Sequence, residues 1–199
     1  MEVRRCTDEP RSDAPGFDAV LDAAQLGEEW ALAALWRRLQ PALLRFLRGR
    51  DPRGAEDVAS ETWIRVGRAL PSFVGGEAEF RAWFFTIARR TLIDTQRRTS
   101  RRPNTVALDA AAEAAARDDP AEDAVAACGL DRVLALVGTL PADQADVVLL
   151  RVIAGLDVAD VAAMTGKRPG TVRVLQHRAL RRLAAVLDLE PAVERSVTR

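Results

Sequence analysis

Leu156-Asp157-Val158-Ala159-Asp160-Val161-Ala162-Ala163-Met164-Thr165-Gly166, followed by residues 167–182, has the spacing of two helices joined by a tight turn. Asp157 is placed to cap the first of them with its side-chain oxygen, and Val158, Val161 and Ala162 face inward. Gly166 stands where the chain must take a positive φ to leave a helix, and Pro169 suits the first turn of the next one, where its missing N–H costs nothing. On that next helix Val172, Leu175, Ala179, Leu183 and Val186 share one side at about 100° per residue. Gly170, Arg173, Val174, His177 and Arg181 lie opposite, flanked by Arg178 and Arg182. Residues 167–183 hold six Lys or Arg and no acid. A helix buried on one side and cationic on the other fits the major groove of duplex DNA. There Arg reads a guanine edge with two hydrogen bonds, and Arg or Lys neutralises phosphate. A solvated basic helix would carry the same charge, so the turn before the helix decides the reading in favour of a helix-turn-helix.

Upstream, Leu130, Val133, Leu134, Val137 and Leu140 form an apolar stripe closed by Pro141, and a helical pattern runs over residues 143–154. Residues 130–189 thus read as one small helical domain ending in the helix-turn-helix, with 190–199 as a tail. Residues 100–129 have a different character. From 103 to 132 there are seven acidic and two basic residues, with Ala dominant and Pro120 in the middle. Little apolar bulk and an excess of one charge predict a flexible linker.

Residues 17–99 read as a second helical domain, preceded by a polar tail over 1–16. Leu32, Leu35, Trp36, Leu39, Leu43 and Leu47 recur at steps of three and four, the amphipathic-helix period. Pro41 inside that run predicts a kink or a junction. After the turn at Arg50-Asp51-Pro52-Arg53-Gly54, a helix places Ala55, Val58, Ala59, Thr62, Val66 and Ala69 on one face. Asp57, Glu61, Arg65 and Arg68 line another face, which alone would pass for an ordinary solvated surface. A third helix is predicted from about Glu79, with Phe80, Trp83, Phe84, Ile87 and Thr91 inward. Its start is aromatic, and its end carries Arg89, Arg90, Arg97, Arg98, Arg101 and Arg102. Aromatics beside cations suit single-stranded DNA, whose bases stack while Arg holds phosphate. Trp83 and Phe84 also fit plain core, and Arg near a helix C-terminus also complements the dipole.

The 199 residues are 48% apolar and only 5% aromatic, with Ala, Leu and Arg prominent and no alternating β pattern, so the fold class is all-α. With 29 basic and 29 acidic residues, charge matters only where it is segregated. Cys6 and Cys128 are far apart and form no metal motif, and His177 is the single His, so no metal, cofactor or His-based catalytic site is expected. No nucleophile–His pair or Gly-rich phosphate loop marks an enzyme. No run approaches the roughly 20 apolar residues of a membrane span, and residues 1–16 lack the apolar core of a secretory signal. The chain is expected to stay in the cytoplasm.

Several stretches carry a family likeness. Gly54-Ala55-Glu56-Asp57-Val58-Ala59-Ser60-Glu61-Thr62-Trp63-Ile64-Arg65-Val66 looks like the core-binding helix of the extracytoplasmic-function (group 4) sigma factors of bacterial RNA polymerase. Phe80-Arg81-Ala82-Trp83-Phe84-Phe85-Thr86-Ile87-Ala88-Arg89-Arg90 resembles their FRAWLFTIAR motif. Leu140-Pro141, residues 147–155, Gly170-Thr171-Val172-Arg173 and Gln176-His177-Arg178-Ala179-Leu180 resemble their C-terminal domain, although Lys167-Arg168-Pro169 departs from the usual pattern. The resemblance implies a specificity subunit that directs promoter-specific transcription initiation, without a catalytic site of its own. It implies that residues 17–99 are sigma region 2 and 130–189 sigma region 4. Glu56, Asp57, Glu61 and Arg65 would bind the clamp helices of the largest polymerase subunit, and the polymerase flap would be a second contact. Ser72, Phe73, Phe80, Arg81, Trp83, Arg89, Arg90 and Arg97 would hold the melted minus-10 strand. Arg151, Arg168, Thr171, Arg173, Val174, His177, Arg178 and Arg181 would face the minus-35 duplex. The linker would thread toward the active-site and RNA-exit channels, and a separate anti-sigma factor would control the whole. The competing readings are a conventional helix-turn-helix regulator, whose usual receiver strands are missing from 17–99, and a helical protein-interaction module, against which the clustered Arg argues.

Overall fold

A computed structural model describes residues 15–101 and 122–194, with side chains described for 15–100 and 129–187. Residues 1–14, 102–121 and 195–199 lie outside the described residues, and with them most of the expected tail over 1–16, most of the expected linker over 100–129 and half of the expected tail over 190–199. All described elements are helical, in the order α1 (Phe17–Gln25), α2 (Glu29–Arg48), α3 (Ala55–Ala69), a 3-10 turn (Leu70–Ser72), α4 (Glu77–Arg101), α5 (Glu122–Gly138), α6 (Ala142–Val148), a π turn (Leu149–Ile153), α7 (Val158–Thr165) and α8 (Pro169–Glu194). The all-α expectation holds, with no strand among the described residues.

In the first module α1 packs on α2, α2 on α3 and α3 on α4. Leu35, Leu39, Leu43 and Leu47 are buried along α2 as the amphipathic-helix spacing requires, but Leu32 and Trp36 of the same stripe are exposed. Both border an apolar groove of about 630 Å³ between α2 and α3, which Trp63, Val66 and Leu70 line from the other side. Pro41 neither breaks nor ends α2, since it lies within the continuous helix 29–48. Ala55, Val58, Ala59, Thr62 and Val66 of α3 are buried as expected. On α4, Phe80, Phe84, Phe85, Ala88, Thr91 and Leu92 are buried, whereas Trp83 and Ile87 are only partly covered. Phe80 is the hub of the aromatic core, with ring centroids 5.5 Å from Phe17, 5.2 Å from Phe73 and 5.4 Å from Trp83.

In the second module α6 and α7 both pack on α8. Leu134, Val137 and Leu140 are buried, but Val133 is 41% exposed, so the stripe on α5 is narrower than its spacing predicts. The helical backbone of α5 begins at Glu122, eight residues before the expected boundary at 130, because the Ala-rich stretch supports helix. At the other end α8 runs through Pro191 to Glu194, into the region expected to be a tail. The expected helix over 143–154 is split. It is α-helical to Val148 and then widens into a π turn, with Ala154 N–H donating to Leu149 O at 2.9 Å, an i→i+5 bond.

The two modules touch. The end of α2 packs against the π turn, and Gly49 is what lets them approach: a Cβ there would lie 2.8 Å from Leu149 Cδ2. The backbone at Gly49 has φ −66°, so closeness of the neighbour, not conformation, calls for the missing side chain.

Candidate nucleic-acid interface

The helix-turn-helix is built as its residues dictate. Asp157 accepts the backbone N–H of Asp160 at 2.7 Å, which satisfies one of the four donors a helix start leaves unmet. Gly166 has φ 67°, the left-handed conformation that only glycine adopts at little cost, and the Lys167 N–H closes back on Ala162 O at 3.0 Å. α8 then buries Val172 and Ala179 and half-buries Leu175 and Leu183, while Val186 is exposed, one turn beyond the support of α6 and α7. Arg168, Thr171, Arg173, Val174, His177, Arg178 and Arg181 are all exposed. Val174 is 49% accessible, an apolar contact set among cations. Among the anticipated duplex contacts, Arg151 stands apart. It is half-buried, its guanidinium donates to Leu156 O and to Gln176 Oε1, and its work is to hold the π turn against α7 and α8. Lys167, in the turn before α8, pairs with Asp143 at 2.8 Å, and Arg182 of α8 donates to Gln144 Oε1 at 3.1 Å, so two basic groups brace the turn and the helix on α6.

On the first module, α3 presents Glu56 and Asp57 to solvent, with Glu61 half-exposed. The hydrogen bond from Arg48 at 2.8 Å holds the Glu56 carboxyl below the usual carboxylate range. Glu61 is lowered in the same way, by its hydrogen bond from Arg65. Arg65 bridges Glu61 at 2.8 Å and Asp94 of α4 at 3.2 Å, and these two hydrogen bonds raise its own pKa further. The face is therefore a lattice of ionised groups near solvent.

The residues anticipated for single-stranded DNA divide into three sets. Ser72, Arg90 and Arg97 are exposed, and Val74 at the tip of the adjoining loop is 92% accessible. Phe80 is wholly buried and Phe73 and Trp83 lean on it, so Phe80 serves the core and cannot reach a base without unfolding it. Arg81 and Arg89 face the second module. The Arg81 Nε–H donates to Ala154 O at 2.5 Å. Arg89 donates to Met164 O at 3.3 Å and pairs with Asp146 at 3.0 Å.

Four partners were not legible in the spacing. The Gln25 amide donates to Leu70 O at 3.1 Å and to Phe73 O at 2.7 Å, and so fixes the loop entrance at its start. Asp94 ties α3 to α4 through Arg65. Asp146, 10% exposed at its side chain, sits between Arg89 and Arg50, with Arg50 Nε 2.8 Å away. That Arg50 N–H is not aimed at the oxygen, so the contact is an ion pair without a hydrogen bond, and the buried nitrogen has no hydrogen-bond partner among the described residues. Only Asp94 carried a signal, as the lone acid among the arginines that end α4. Among the described residues there is no group of three or more His, Cys, Asp or Glu placed to hold a metal, and no helix long and apolar enough to cross a membrane.

A helix-turn-helix with a free cationic face, following a helical module whose last helix ends in arginines, defines a two-module DNA-binding protein. Residues 35–102 match the family model described as Sigma-70 region 2, and residues 130–183 the one described as Sigma-70, region 4. The chain is 33% identical over 180 residues to the ECF RNA polymerase sigma factor ShbA of Streptomyces griseus, covering 85% of this chain and 94% of that protein. It is 33% identical over 173 residues to the ECF RNA polymerase sigma factor SigD of Mycobacterium tuberculosis, covering 84% and 82%. Among solved structures it is similar to the sigma factor RpoE in complex with the anti-sigma factor NepR from Bartonella quintana, with 25% identity, a TM-score of 0.57 and coverage of 78% and 97%. The chain belongs to the ECF RNA polymerase sigma factor family, and its activity is to direct transcription initiation at promoters.

Proposed function

We propose that this sigma factor selects promoters by dividing the work between its modules, while the polymerase core supplies all catalysis. The α3 face of Glu56, Asp57, Glu61 and Arg65 docks on the clamp helices of the largest subunit, and the second module meets the flap. Ser72, Phe73, Arg81, Trp83, Arg89, Arg90 and Arg97 surround the captured minus-10 strand, with Phe80 shaping the floor beneath them. Arg168, Thr171, Arg173, Val174, His177, Arg178 and Arg181 enter the minus-35 major groove, with Arg151 positioning them from behind. An anti-sigma protein, of the kind seen with RpoE in its complex with NepR, blocks these surfaces in the cytoplasm until a signal arrives. The observation that carries this reading is the exposed cationic side of α8 set opposite its buried Val172 and Ala179.

The test is reconstitution. Core polymerase with this chain should start at defined promoters, and core alone should not. A conventional regulator would bind duplex DNA by itself and confer no start-site choice on core, which would refute the proposal. Within it, Arg173→Ala should weaken discrimination at one minus-35 position by about 1–3 kcal/mol. Equal loss on every sequence would reduce Arg173 to a phosphate contact. Asp57→Ala with Glu61→Ala should lower affinity for core without altering the fold.

A further inference from the structure

Of the residues set against the single strand, Arg81 and Arg89 sit at the seam between the modules, but the loop that follows α3 is held from within the first module. It starts in the 3-10 turn Leu70–Ser72. There the Phe73 N–H donates to Leu70 O at 3.1 Å, and the Ser72 hydroxyl donates to Ala69 O at 2.9 Å. Its end is fixed by the Gly76 N–H, which donates to Glu79 Oε2 at 3.1 Å in the first turn of α4. Between these ends the Phe73 ring is seated against Phe80 and Trp83, at centroid distances of 5.2 and 4.9 Å. Val74 at the tip is exposed. One more clamp comes from outside the loop. Gln25, the last residue of α1, donates from Nε2 both to Leu70 O at 3.1 Å and to Phe73 O at 2.7 Å. An amide nitrogen carries two N–H donors, so this one side chain spans the turn from its first residue to the residue that closes it. Its base is firm, because Val20, Leu21 and Ala24 of α1 are buried and the Phe17 ring lies 5.5 Å from that of Phe80. α1 precedes residues 35–102, the stretch that matches Sigma-70 region 2.

We infer that Gln25 is a positioning residue for promoter opening: it holds the loop after α3 in the shape that receives the melted minus-10 strand, without touching DNA itself. This rests on the assignment of Ser72 and Phe73 to that strand made above. Leu70 and Phe73 bracket Pro71 and Ser72, so the clamp sets where the Ser72 hydroxyl and the Val74 side chain stand relative to Trp83. A loop ordered before the strand arrives loses none of its contact energy to its own ordering. Without the clamp, only the fraction of chains whose loop is ordered can take the strand. Each neutral hydrogen bond weights the ordered arrangement by about two- to twelve-fold. Loss of the pair therefore lowers capture of a strand that fits the loop by about ten-fold. A strand whose base does not fit the loop draws no benefit from its order and loses little, so preference between the two strands narrows.

The test uses core polymerase loaded with the parent chain or a variant, on promoters that differ by one base at a time across the minus-10 and minus-35 elements. The readout is the extent of strand opening at each promoter. Val74→Ser marks the minus-10 base that the loop meets. Gln25→Met keeps the length of the side chain and removes both donors. It should reduce preference at that same base by about ten-fold, with preference at the minus-35 element and affinity for core at parent values. A merely structural role would lower core binding and opening on every promoter alike. Gln25→Lys, whose ammonium can donate to both carbonyls, should regain part of the preference; its added charge acts on all strands and cancels in the ratio. In the free chain the Phe73 amide should exchange faster in Gln25→Met than in the parent, while the amides of Val58 and Val66, buried on α3, keep their protection. The role of Gln25 is overturned if Gln25→Met opens every promoter in the parent's proportions, if its losses are uniform, or if they fall on a base that Val74→Ser leaves unchanged. A parent without any minus-10 preference would remove the promoter reading, and the role of Gln25 with it; a preference present in the parent and intact in Gln25→Met removes the role of Gln25 alone.

Discussion

Replacing Gly166 by alanine isolates the contribution of one backbone conformation to the recognition module. The residue has φ 67°, and a Cβ there would meet nothing within 4 Å, so steric crowding from neighbours is absent and only the left-handed conformation is penalised. For an L-residue that conformation costs roughly 1–2 kcal/mol. The variant's stiffer unfolded chain offsets part of this, because alanine has less conformational freedom to lose on folding than glycine. The net expectation is a loss of about 1.4 kcal/mol, a ten-fold drop in the module's folding constant. Tryptophan fluorescence cannot follow it, because Trp30, Trp36, Trp63 and Trp83 all lie in the first module. Amide hydrogen exchange at Val161 and Val172, buried on α7 and α8, reads the module directly. Both amides should exchange about ten-fold faster in Gly166→Ala, and Gly166→Asn should recover part of the loss, since asparagine tolerates positive φ. Protection as strong in the alanine variant as in the parent, or an asparagine variant no better than alanine, would show that the turn does not limit the module's stability.

Three further outcomes follow from single contacts. Phe80→Ala should destabilise the first module by about 3–5 kcal/mol in urea unfolding followed by tryptophan fluorescence; a loss under 1 kcal/mol would move Phe80 out of the core and back to a base-contacting role. Trp63→Phe removes the indole N–H that donates to Gln40 Oε1 at 2.7 Å and should cost about 0.5–1.5 kcal/mol, which Gln40→Leu in the same background should partly restore. Burial, then the charges of Asp157 and of Glu79 across the seam, raise the Asp160 carboxyl above its usual range. A raised acid opposes folding where it is ionised, above its folded pKa, and that penalty fades as pH falls to the unfolded value. Asp160→Asn should therefore melt higher than the parent near neutral pH, with the difference shrinking toward zero in acid; a constant difference across pH would exclude charge as the cause.

The helix-turn-helix was the most legible part of the sequence because each signal in it is local. Asp157 caps within three residues, Gly166 sets its own φ, and the wheel from Val172 to Leu183 depends on one helix alone. Leu32, Trp36 and Val133 were misplaced for the complementary reason: periodicity says which residues share a face, and the neighbouring helices decide how much of that face is covered. Phe80, grouped with residues that touch DNA, proved to be the centre of five packed aromatic rings, since an aromatic beside arginines reads the same whether it stacks on a base or on another ring. Arg151 looked like one more cation near the groove and instead ties down its own module. Nothing in the spacing could have paired Arg50 and Arg89 with Asp146, because those contacts join residues 96 and 57 positions apart in separate modules.

The π turn at Leu149–Ile153 sets the phase of everything that follows it. One surplus residue in a helix swings the downstream chain by about 100°, and here that swing is taken up just before the helix-turn-helix. Shortening the turn by one residue would leave α7 and α8 individually sound and their caps untouched. It would re-aim them, so that α8 offered a different flank to the groove. A one-residue deletion there belongs among changes of specificity, and its effects would be felt two helices away from the lesion.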